Sequence, residues 1–546
     1  MKVKIVCYLL FLVGFSHVFS KTAYRPKKIH HVVGFYPTNK YALKNELEDH
    51  FGKAKKHFGI KADPNLVRAM IVPHAGYYFS GLCAASAYQT LLVGNSKNKR
   101  IKRVIILAPS HSVGFAGIAL PDYLMYETPI SGIKIDINSI EQLSQNPLFK
   151  PIPKVHDLEH SLEVQLPFLQ TAIQDFEIVP LIVGALSEWN FDVVANELGK
   201  IIDENTLVVV SSDFTHHGSN YGYKKFDKNI FYNVRRLDSL AIEAILDKSY
   251  FACDEILKRT GVTVCGKSCI KILLKIIEKG FLGDVEGRMT SYYTSPQVSA
   301  ARKSGFDHKK LFENIDDDLV KNSVSYAGIV FSKEKLSSLD HKDRLSNCEQ
   351  LSLLRSARDS IENEFYGGSP GPAGHGDIFF GLNEKSGVKK LDKKLLAPIL
   401  TPQLKKKSGA FVTLNTKKGD LRGCIGNILP VQPLYLTVLD RAKSAAFEDK
   451  RFPSLKKHEL DDVVIDITVL EEPRKVKSYN DIVLGRHGII LKKKGRSAVF
   501  LPQVAPSFGW DLPTTLSHLS RKTGLQPDAW KQDCDFEVFE GFEFKE

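Results

Sequence analysis

The chain has 546 residues, of which 43% are hydrophobic, 10% aromatic and 25% charged. This balance is typical of a folded soluble protein and excludes both a disordered chain and a protein with many membrane spans. Lys and Arg (75) exceed Asp and Glu (62) by 13, but both signs of charge are interspersed, so a basic nucleic-acid-binding tail is not expected.

The first twenty residues have the pattern of a secretory signal peptide. Lys2 and Lys4 precede an apolar run from Ile5 to Phe15, and small or polar residues follow as far as Ser20. We predict that residues 1–20 are cleaved, which makes the protein exported, either periplasmic or secreted. If the segment is instead a buried N-terminal strand, the protein is cytoplasmic. No later stretch is long and apolar enough to anchor the mature chain in a membrane.

Residues 28–333 alternate short β-branched runs with segments of helical spacing. Strands are predicted at Arg68–Pro73, Arg103–Ala108, Glu177–Gly184, Leu207–Ser211 and Val324–Phe331. Helices are predicted at Gly81–Leu92, Ser161–Ile173, Phe191–Ile202, Leu237–Leu246 and Ser268–Ile277. Because strands separated by helices of this length form crossover units, we predict an α/β domain around a largely parallel sheet.

A polar linker is predicted at residues 334–348, followed by a second folded unit at 349–546. Its predicted helices are Glu349–Phe365, Leu434–Ala446 and Thr514–Thr523, and its predicted strands are Ala410–Leu414, Val463–Leu470, Gly488–Leu491 and Ala498–Leu501. This mixed order indicates an α+β domain. The Gly/Pro-rich stretch Gly367–Gly376 predicts a loop. Lysine clusters such as Lys405–Lys407 lack interleaved aromatic residues, so nucleic-acid binding is not expected.

Three histidine-containing clusters follow predicted strands of the first domain. His74 follows the first strand, His111 follows the second, and Asp213 and His216 follow the fourth. In open α/β sheets, ligands bind in the crevice at the carboxyl ends of the strands, so these side chains are expected to converge. A lone histidine is more often structural, but several imidazoles at one sheet edge predict a transition-metal site.

Cys265 lies where an extended segment turns into a helix, close to Lys267. The helix N-terminus and the cation favour its thiolate, which is a soft metal ligand. Two alternatives stay open at this point: a small buried residue, or a disulfide with Cys269, although a bridge within one helical turn is usually strained.

The segment Glu159–Gln165 carries a further polar pair. His160 and Glu163 are predicted to lie one helical turn apart. They would orient metal ligands or relay protons, or else belong to an exposed amphipathic helix.

Several phrases in chain order resemble the MEMO family: Pro73–Tyr77, Pro109–His111, Glu159–Glu163, Val183–Ser187, Ser211–Phe214 and Cys265–Gly266. The resemblance covers about residues 28–332 and implies a LigB-like fold, similar to the class III extradiol ring-cleaving dioxygenases. It implies that His74, His111 and Cys265 bind iron or copper, as Fe(II) or Cu(I). It places His216 and Asp213 in the same pocket. There we predict that His216 acts as acid, base or substrate contact and that Asp213 orients it.

The run Arg422-Gly423-Cys424-Ile425-Gly426, together with phrases at Ala446–Phe452, Ile465–Leu470 and Val499–Val504, resembles the AMMECR family over about residues 349–544. From the residues alone, Gly423 permits close backbone approach and Arg422 could hold an anion, or the run is a glycine-shaped turn packed on its neighbour. MEMO and AMMECR domains accompany a radical SAM protein in the AmmeMemoRadiSam system. The chain thus resembles a fusion of components B and A, and a radical SAM partner is implied by analogy.

These features predict a metal-dependent redox or oxygen-using protein whose small-molecule or peptide substrate is unknown. A thiolate is not a ligand of ring-cleaving dioxygenases, which use two histidines and one carboxylate, so ring cleavage is the less favoured reaction. One alternative is a non-enzymatic copper or iron buffer or chaperone with the same three ligands. Another is a peptide-binding adaptor in which the metal is incidental.

Overall fold

The computed structural model describes residues 25–27, 34–58, 62–228, 230–303, 305–313, 315–316, 319–333, 345, 347–366 and 401–546. The predicted signal peptide (1–20) and the Gly/Pro-rich segment (367–376) lie outside the described residues, as does nearly all of the predicted linker. Within the described part of the chain, no helix is long and apolar enough to cross a membrane.

The N-terminal unit is built on a nine-stranded mixed sheet, with a small three-stranded sheet beside it. Its strands are β1 (Arg25–Lys27), β2 (Val67–Val72), β3 (Arg103–Pro109), β4 (Ile118–Leu120), β5 (Tyr123–Glu127), β6 (Gly132–Lys134), β7 (Phe149–Pro151), β8 (Glu177–Val183), β9 (Thr206–Ser211), β10 (His216–His217), β11 (Glu286–Thr294) and β12 (Ser323–Ser332). The order across the large sheet is β10-β12-β2-β9-β3-β8-β4-β7, and β11 pairs with β12.

The centre of this sheet is parallel, as the sequence predicts. Strands β2, β9, β3 and β8 are parallel neighbours. Strands β2, β3 and β9 are buried along nearly their whole length, which explains why they read as continuous hydrophobic runs. Strand β11 is not predicted, because Arg288 and Thr290 interrupt its apolar pattern, yet both residues are buried and β11 pairs antiparallel with β12.

The helices described in this unit are α1 (Lys40–His57), α2 (Tyr77–Tyr88), α3 (Ile137–Leu143), α4 (Pro153–Leu158), α5 (Leu166–Ala172), α6 (Glu188–Gly199), α7 (Ile230–Leu246), α8 (Tyr250–Thr260), α9 (Lys267–Glu278) and α10 (Ser295–Arg302). Helix α2 packs against β2, β11 and β12, and α9 packs against β3 and β9. Because β2, β9 and β3 are adjacent and parallel, the loops that follow them leave the sheet at the same edge. This edge carries the candidate site.

The C-terminal unit is α+β, as predicted, and contains two four-stranded antiparallel sheets. Its elements are α11 (Asn347–Tyr366), α12 (Pro402–Lys405), β13 (Gly409–Thr416), β14 (Leu421–Asn427), α13 (Leu434–Phe447), β15 (Val463–Leu470), β16 (Arg474–Lys475), β17 (Gly488–Lys493), β18 (Arg496–Phe500), α14 (Val504–Phe508), α15 (Leu512–Lys522), β19 (Asp535–Phe539) and β20 (Gly541–Lys545). The sheet orders are β14-β13-β15-β20 and β16-β19-β17-β18.

The glycine-rich run at 422–426 is a strand and not a turn. It lies within β14, at the edge of the first C-terminal sheet. The alternative of a glycine-shaped turn is therefore wrong, because cross-strand pairing with β13 holds Gly423 and Gly426 in an extended conformation.

Candidate metal centre

The loops after β2 and β3 and the residue before the N-cap of α9 bring His74, His111 and Cys265 together. One nitrogen of each imidazole and the Cys265 Sγ lie within 4.8 Å of one another. The rings of His74 and His111 meet edge to face, with centroids 5.0 Å apart. Two imidazoles and one thiol form a donor set that suits copper or iron.

His74 is the most deeply buried of the three. Its Nε2 is buried and has no hydrogen-bond partner among the described residues. Burial, followed by the proximity of His111 and His160, lowers the pKa of His74 well below its ordinary value, so the ring is neutral at physiological pH. A buried nitrogen without a partner costs free energy unless a ligand binds it. This nitrogen therefore fits a metal ligand.

Glu159 orients His111. Its Oε1 lies 2.9 Å from His111 Nδ1, and its Oε2 accepts the backbone N–H of His111 at 2.5 Å. The same carboxylate accepts the backbone N–H groups of His160 and Ser161. Burial alone would raise the pKa of Glu159, but the hydrogen bonds and charge of His111 outweigh it and lower this pKa to about 2. Glu159 is therefore an ionised, fully hydrogen-bonded support for His111.

Cys265 lies against His216, with its Sγ 3.7 Å from both ring nitrogens. Burial, together with the carboxylates of Asp213 and Glu159, raises the pKa of the Cys265 thiol. The favoured thiolate expected from the helix N-terminus is therefore wrong for the protein chain by itself, because desolvation and two nearby carboxylates oppose it. The disulfide alternative is also wrong, since Cys265 and Cys269 are both free thiols.

Asp213 supports His74 and not His216. Its Oδ1 accepts the backbone N–H groups of His74 at 2.8 Å and of Ala75 at 3.4 Å. His216 instead places its Nδ1 2.9 Å from the carbonyl of Phe214. Since a carbonyl oxygen can only accept, Nδ1 carries the proton, and the unprotonated nitrogen of His216 is Nε2, which lies 3.7 Å from the Cys265 Sγ. Asp213 and His216 line the site, but the predicted orienting bond between them is replaced by backbone contacts.

His160 joins the cluster, whereas Glu163 does not. The His160 ring lies 4.9 Å from that of His111 and 5.7 Å from that of His74, and Phe35 packs on it at 4.3 Å. Glu163 accepts a hydrogen bond from Tyr36 at 3.3 Å. The expected amphipathic helix is a buried turn followed by a short 3₁₀ helix at Glu163–Gln165, because this segment packs inside the domain.

Three further residues at the site are not predicted as site residues from the sequence. Ser211 Oγ and Gln165 Nε2 form a buried network with His74, and Tyr221 packs against His216 at 5.1 Å. A serine at a strand end and a glutamine in a short 3₁₀ helix are common, and only the packing of β9 against the 159–165 segment brings them beside a histidine.

The AMMECR motif forms a second polar cluster. Arg422 makes a bidentate ion pair with Glu459, with distances of 2.8 and 3.1 Å, so its guanidinium already holds a carboxylate of the protein. The Cys424 backbone N–H donates to Asp449 at 2.9 Å, and Thr413 donates to the Cys424 Sγ at 3.2 Å. A Cβ on Gly423 would collide with the carbonyl of Ala445, so this glycine lets α13 pack closely on β14.

Comparison with known proteins finds relatives of both units. A family model described as Memo-like protein matches residues 28–307, and one described as AMMECR1 matches residues 383–544. Protein MEMO1 of Homo sapiens is 33% identical over 223 residues, which cover 38% of this chain and 72% of MEMO1. Protein Mbar_A1807 of Methanosarcina barkeri is 41% identical over 152 residues, which cover 27% of this chain and 75% of that protein.

A solved structure of the uncharacterized protein PH0010 from Pyrococcus horikoshii is 32% identical, with a TM-score of 0.28, and the match covers 36% of this chain and 89% of that one. The Memo-like model spans more than half of the 546 residues. The chain therefore belongs to the Memo-like family and carries an AMMECR1 domain in addition.

Proposed function

We propose that the N-terminal unit binds one iron or copper ion through His74, His111 and Cys265 and acts as a metal-dependent redox or oxygen-using protein. The observation that carries this proposal is the convergence of three ligand atoms within 4.8 Å, one of which is the buried, unpaired Nε2 of His74. Either metal, when bound, supplies one-electron redox chemistry. It also favours the ionised form of Cys265, against the effect of burial on that thiol.

The openness of the site favours an enzyme over a metal buffer. The side chains of His111 and His160 are 32% and 21% exposed, so a small molecule can reach the cluster from solvent. Structural or storage sites are usually closed by protein ligands, whereas catalytic sites keep an open position. His216 is suited to proton transfer, because its Nδ1 donates to the Phe214 carbonyl and its unprotonated Nε2 lies beside the Cys265 Sγ.

The aromatic residues at the site favour a planar substrate. Phe35 packs on His160, and Tyr221 meets the ring of His216 edge to face. These rings present apolar surface beside the imidazoles, which suits an aromatic or phenolic molecule. The thiol in the donor set still argues against the two-histidine, one-carboxylate chemistry of ring cleavage.

Metal content of the purified full chain tests the proposal. The protein is reconstituted anaerobically with Fe(II) or Cu(I), and metal is measured by elemental analysis for the wild type and for His74→Ala, His111→Ala and Cys265→Ala. We expect about one metal per chain in the wild type, by analogy with single-ion sites, and loss of metal in all three variants. His50→Gln is the matched control, because His50 is a buried histidine on α1 outside the cluster.

Equal metal content in all variants, or none in a folded wild type, would refute metal binding at this site. Oxygen uptake with candidate phenolic substrates then separates an enzyme from a buffer, since a buffer binds metal without turnover. An adaptor function is supported instead if Cys265→Ala abolishes binding of a peptide partner while metal content is zero throughout.

We also propose that the chain is exported after cleavage of residues 1–20. The support is the order of Lys2, Lys4 and the apolar run that follows them. N-terminal sequencing of the mature protein tests this, and a mature chain that retains Met1 or Lys2 would contradict it.

A further inference from the structure

We infer that Ser211, held by Gln165, sets the tautomer of His74 and so presents the Nε2 lone pair of that histidine to the metal site. Ser211 and Gln165 would then be positioning residues of the centre. The effect on metal affinity rests on the proposed function. The tautomer itself is a property of the protein chain and can be measured without any metal.

The orientation of the Gln165 amide is determined by its partners. Its Nε2 donates to the carbonyl of Pro73 at 2.9 Å and to the Ser211 Oγ at 3.0 Å. Its Oε1 accepts from the Tyr88 hydroxyl at 3.1 Å. Turning the amide over would place Oε1 against the Pro73 carbonyl, and two acceptors repel each other. Gln165 is fully buried, so water does not relieve such a mismatch.

The Ser211 hydroxyl has one proton and three neighbours. Its Oγ lies 2.7 Å from the Ser161 carbonyl, 3.0 Å from Gln165 Nε2 and 3.0 Å from His74 Nδ1. The carbonyl can only accept and the amide can only donate, so the proton points to Ser161 and the lone pairs face Gln165 and His74. His74 Nδ1 must then carry a proton and donate it to Ser211.

The opposite arrangement, in which the Ser211 hydroxyl donates to His74 Nδ1, is disfavoured at both the Ser161 carbonyl and His74 Nε2. If Ser211 donated to His74 Nδ1, the buried Ser161 carbonyl would lose this donor. The ring proton would move to Nε2, where no hydrogen-bond partner lies among the described residues. The Nδ1–H tautomer leaves one buried group unpaired, the Nε2 acceptor, whereas the opposite arrangement leaves two, the Ser161 carbonyl and the Nε2–H donor, so the Nδ1–H tautomer is the more stable one.

Asp213 is the reason why the His74 tautomer needs the Ser211 hydroxyl. Its Oδ2 lies 4.0 Å from His74 Nε2 and is buried beside it. A carboxylate at this position attracts a proton to Nε2, which would block the nitrogen as a ligand. The Ser211 hydroxyl opposes this attraction by accepting the proton at Nδ1. Removing the hydroxyl should therefore move the proton toward Nε2 and Asp213.

His74 and His111 both donate a proton from Nδ1, but to different kinds of acceptor. His111 donates its Nδ1 proton to the carboxylate of Glu159, and His74 donates its own to a neutral hydroxyl. In each ring the Nδ1 proton is bound by the protein, which leaves Nε2 as the nitrogen that would bind the metal. The neutral partner of His74 adds no further negative charge next to Asp213 and Cys265.

Nuclear magnetic resonance of the full chain labelled with ¹⁵N-histidine, after treatment with a chelator, tests the tautomer directly. The His74 signals are assigned by their absence from the spectrum of His74→Gln. We expect the wild type to show a protonated Nδ1 and an unprotonated Nε2. In Ser211→Ala we expect the proton on Nε2 or a mixture of both tautomers. Ser86→Ala is the matched control, because Ser86 is a buried serine whose hydroxyl bonds Cys83, Thr290 and Ser291.

Titration with Fe(II) or Cu(I) gives the second measurement. Loss of a hydrogen-bonding partner of a metal ligand typically weakens affinity about 10–100-fold, and we expect this for Ser211→Ala and no change for Ser86→Ala. If the wild-type protein carries the His74 proton on Nε2, that result alone overturns the inference. An unchanged tautomer in Ser211→Ala also overturns it. If the tautomer switches as expected but the wild type binds no metal, the proposed function fails and the role of Ser211 stands.

Discussion

Gly266→Ala should displace Cys265 from the candidate metal centre. A Cβ at position 266 would lie 2.5 Å from the Ser212 Cβ and 2.6 Å from the Ser211 carbonyl oxygen. The φ angle of Gly266 is −86°, which alanine adopts without strain. The cost of the substitution is therefore steric and comes from the close approach of this segment to the end of β9.

The size of the displacement follows from these distances. Ordinary contact begins at 3.4 Å, so the Ser212 contact of 2.5 Å requires a movement of about 0.9 Å. Such a movement also weakens the 2.9 Å hydrogen bond from the Gly266 N–H to the Ser212 Oγ. Overpacking of this kind costs about 1–3 kcal/mol. Metal ligands are held to within about 0.2 Å, so a shift of this size should also weaken any metal bound through Cys265.

Three measurements on the full chain test this reasoning: denaturant unfolding, the rate of Cys265 labelling by a thiol reagent, and metal content. We expect lower stability, altered labelling and less metal in Gly266→Ala. Gly52→Ala is the control, because a Cβ there meets nothing within 4 Å and position 52 lies inside α1. Alanine should be neutral or slightly stabilising in that helix. If Gly266→Ala matches the wild type in all three measurements, the close approach does not position Cys265.

Three further predictions concern stability. Glu159→Gln should lower the free energy of unfolding at pH 7 by about 1–3 kcal/mol, because an amide oxygen replaces a buried carboxylate that accepts several N–H groups. The pKa of Glu159 is lowered from 4.5 to about 2, so its contribution is present above pH 4.5 and lost toward pH 2, and urea midpoints of wild type and variant should converge over that window. Burial and the adjacent His308 lower the pKa of His57 to about 4. The wild type should therefore lose about 1 kcal/mol, after solvent screening, as the pH falls from 6.5 to 4, and a His57→Gln variant that shows the same loss would contradict this. Gly423→Ala should destabilise the C-terminal unit by about 1–3 kcal/mol through collision with Ala445, while metal content stays at the wild-type level. Thermal unfolding that is unchanged in this variant would show that α13 can move away from β14.

Much of the N-terminal fold follows from local pattern. The runs at β2, β3 and β9 are β-branched and apolar because both faces of a central parallel strand are buried. Helical spacing between them indicates crossover connections, so the parallel order of these strands is predictable. The same topology predicts that His74, His111 and Asp213 reach one sheet edge, since each follows such a strand.

The hydrophobic pattern of the sequence does not predict segments in which polar residues are buried. The sequence does not predict strand β11, because it contains the polar residues Arg288 and Thr290, both of which are buried. The segment 159–165 has charged residues at helical spacing, which predicts a helix, but it is a buried turn and a short 3₁₀ helix. Burial of polar groups depends on partners that are distant in sequence, such as Tyr36 for Glu163. Local periodicity carries no information about those partners.

The sequence by itself determines the residue types of the candidate centre and the sheet edge at which they lie. Only the tertiary structure decides how each side chain is held. The helix N-terminus that follows Cys265 predicts a favoured thiolate, whereas burial beside Asp213 and Glu159 raises the thiol pKa. Which ring nitrogen of His74 carries the proton depends on the Ser211 hydroxyl, which is 137 residues away in the sequence. Hydrogen bonds and desolvation act over a few ångströms in space, and the folded chain alone determines which groups are that close.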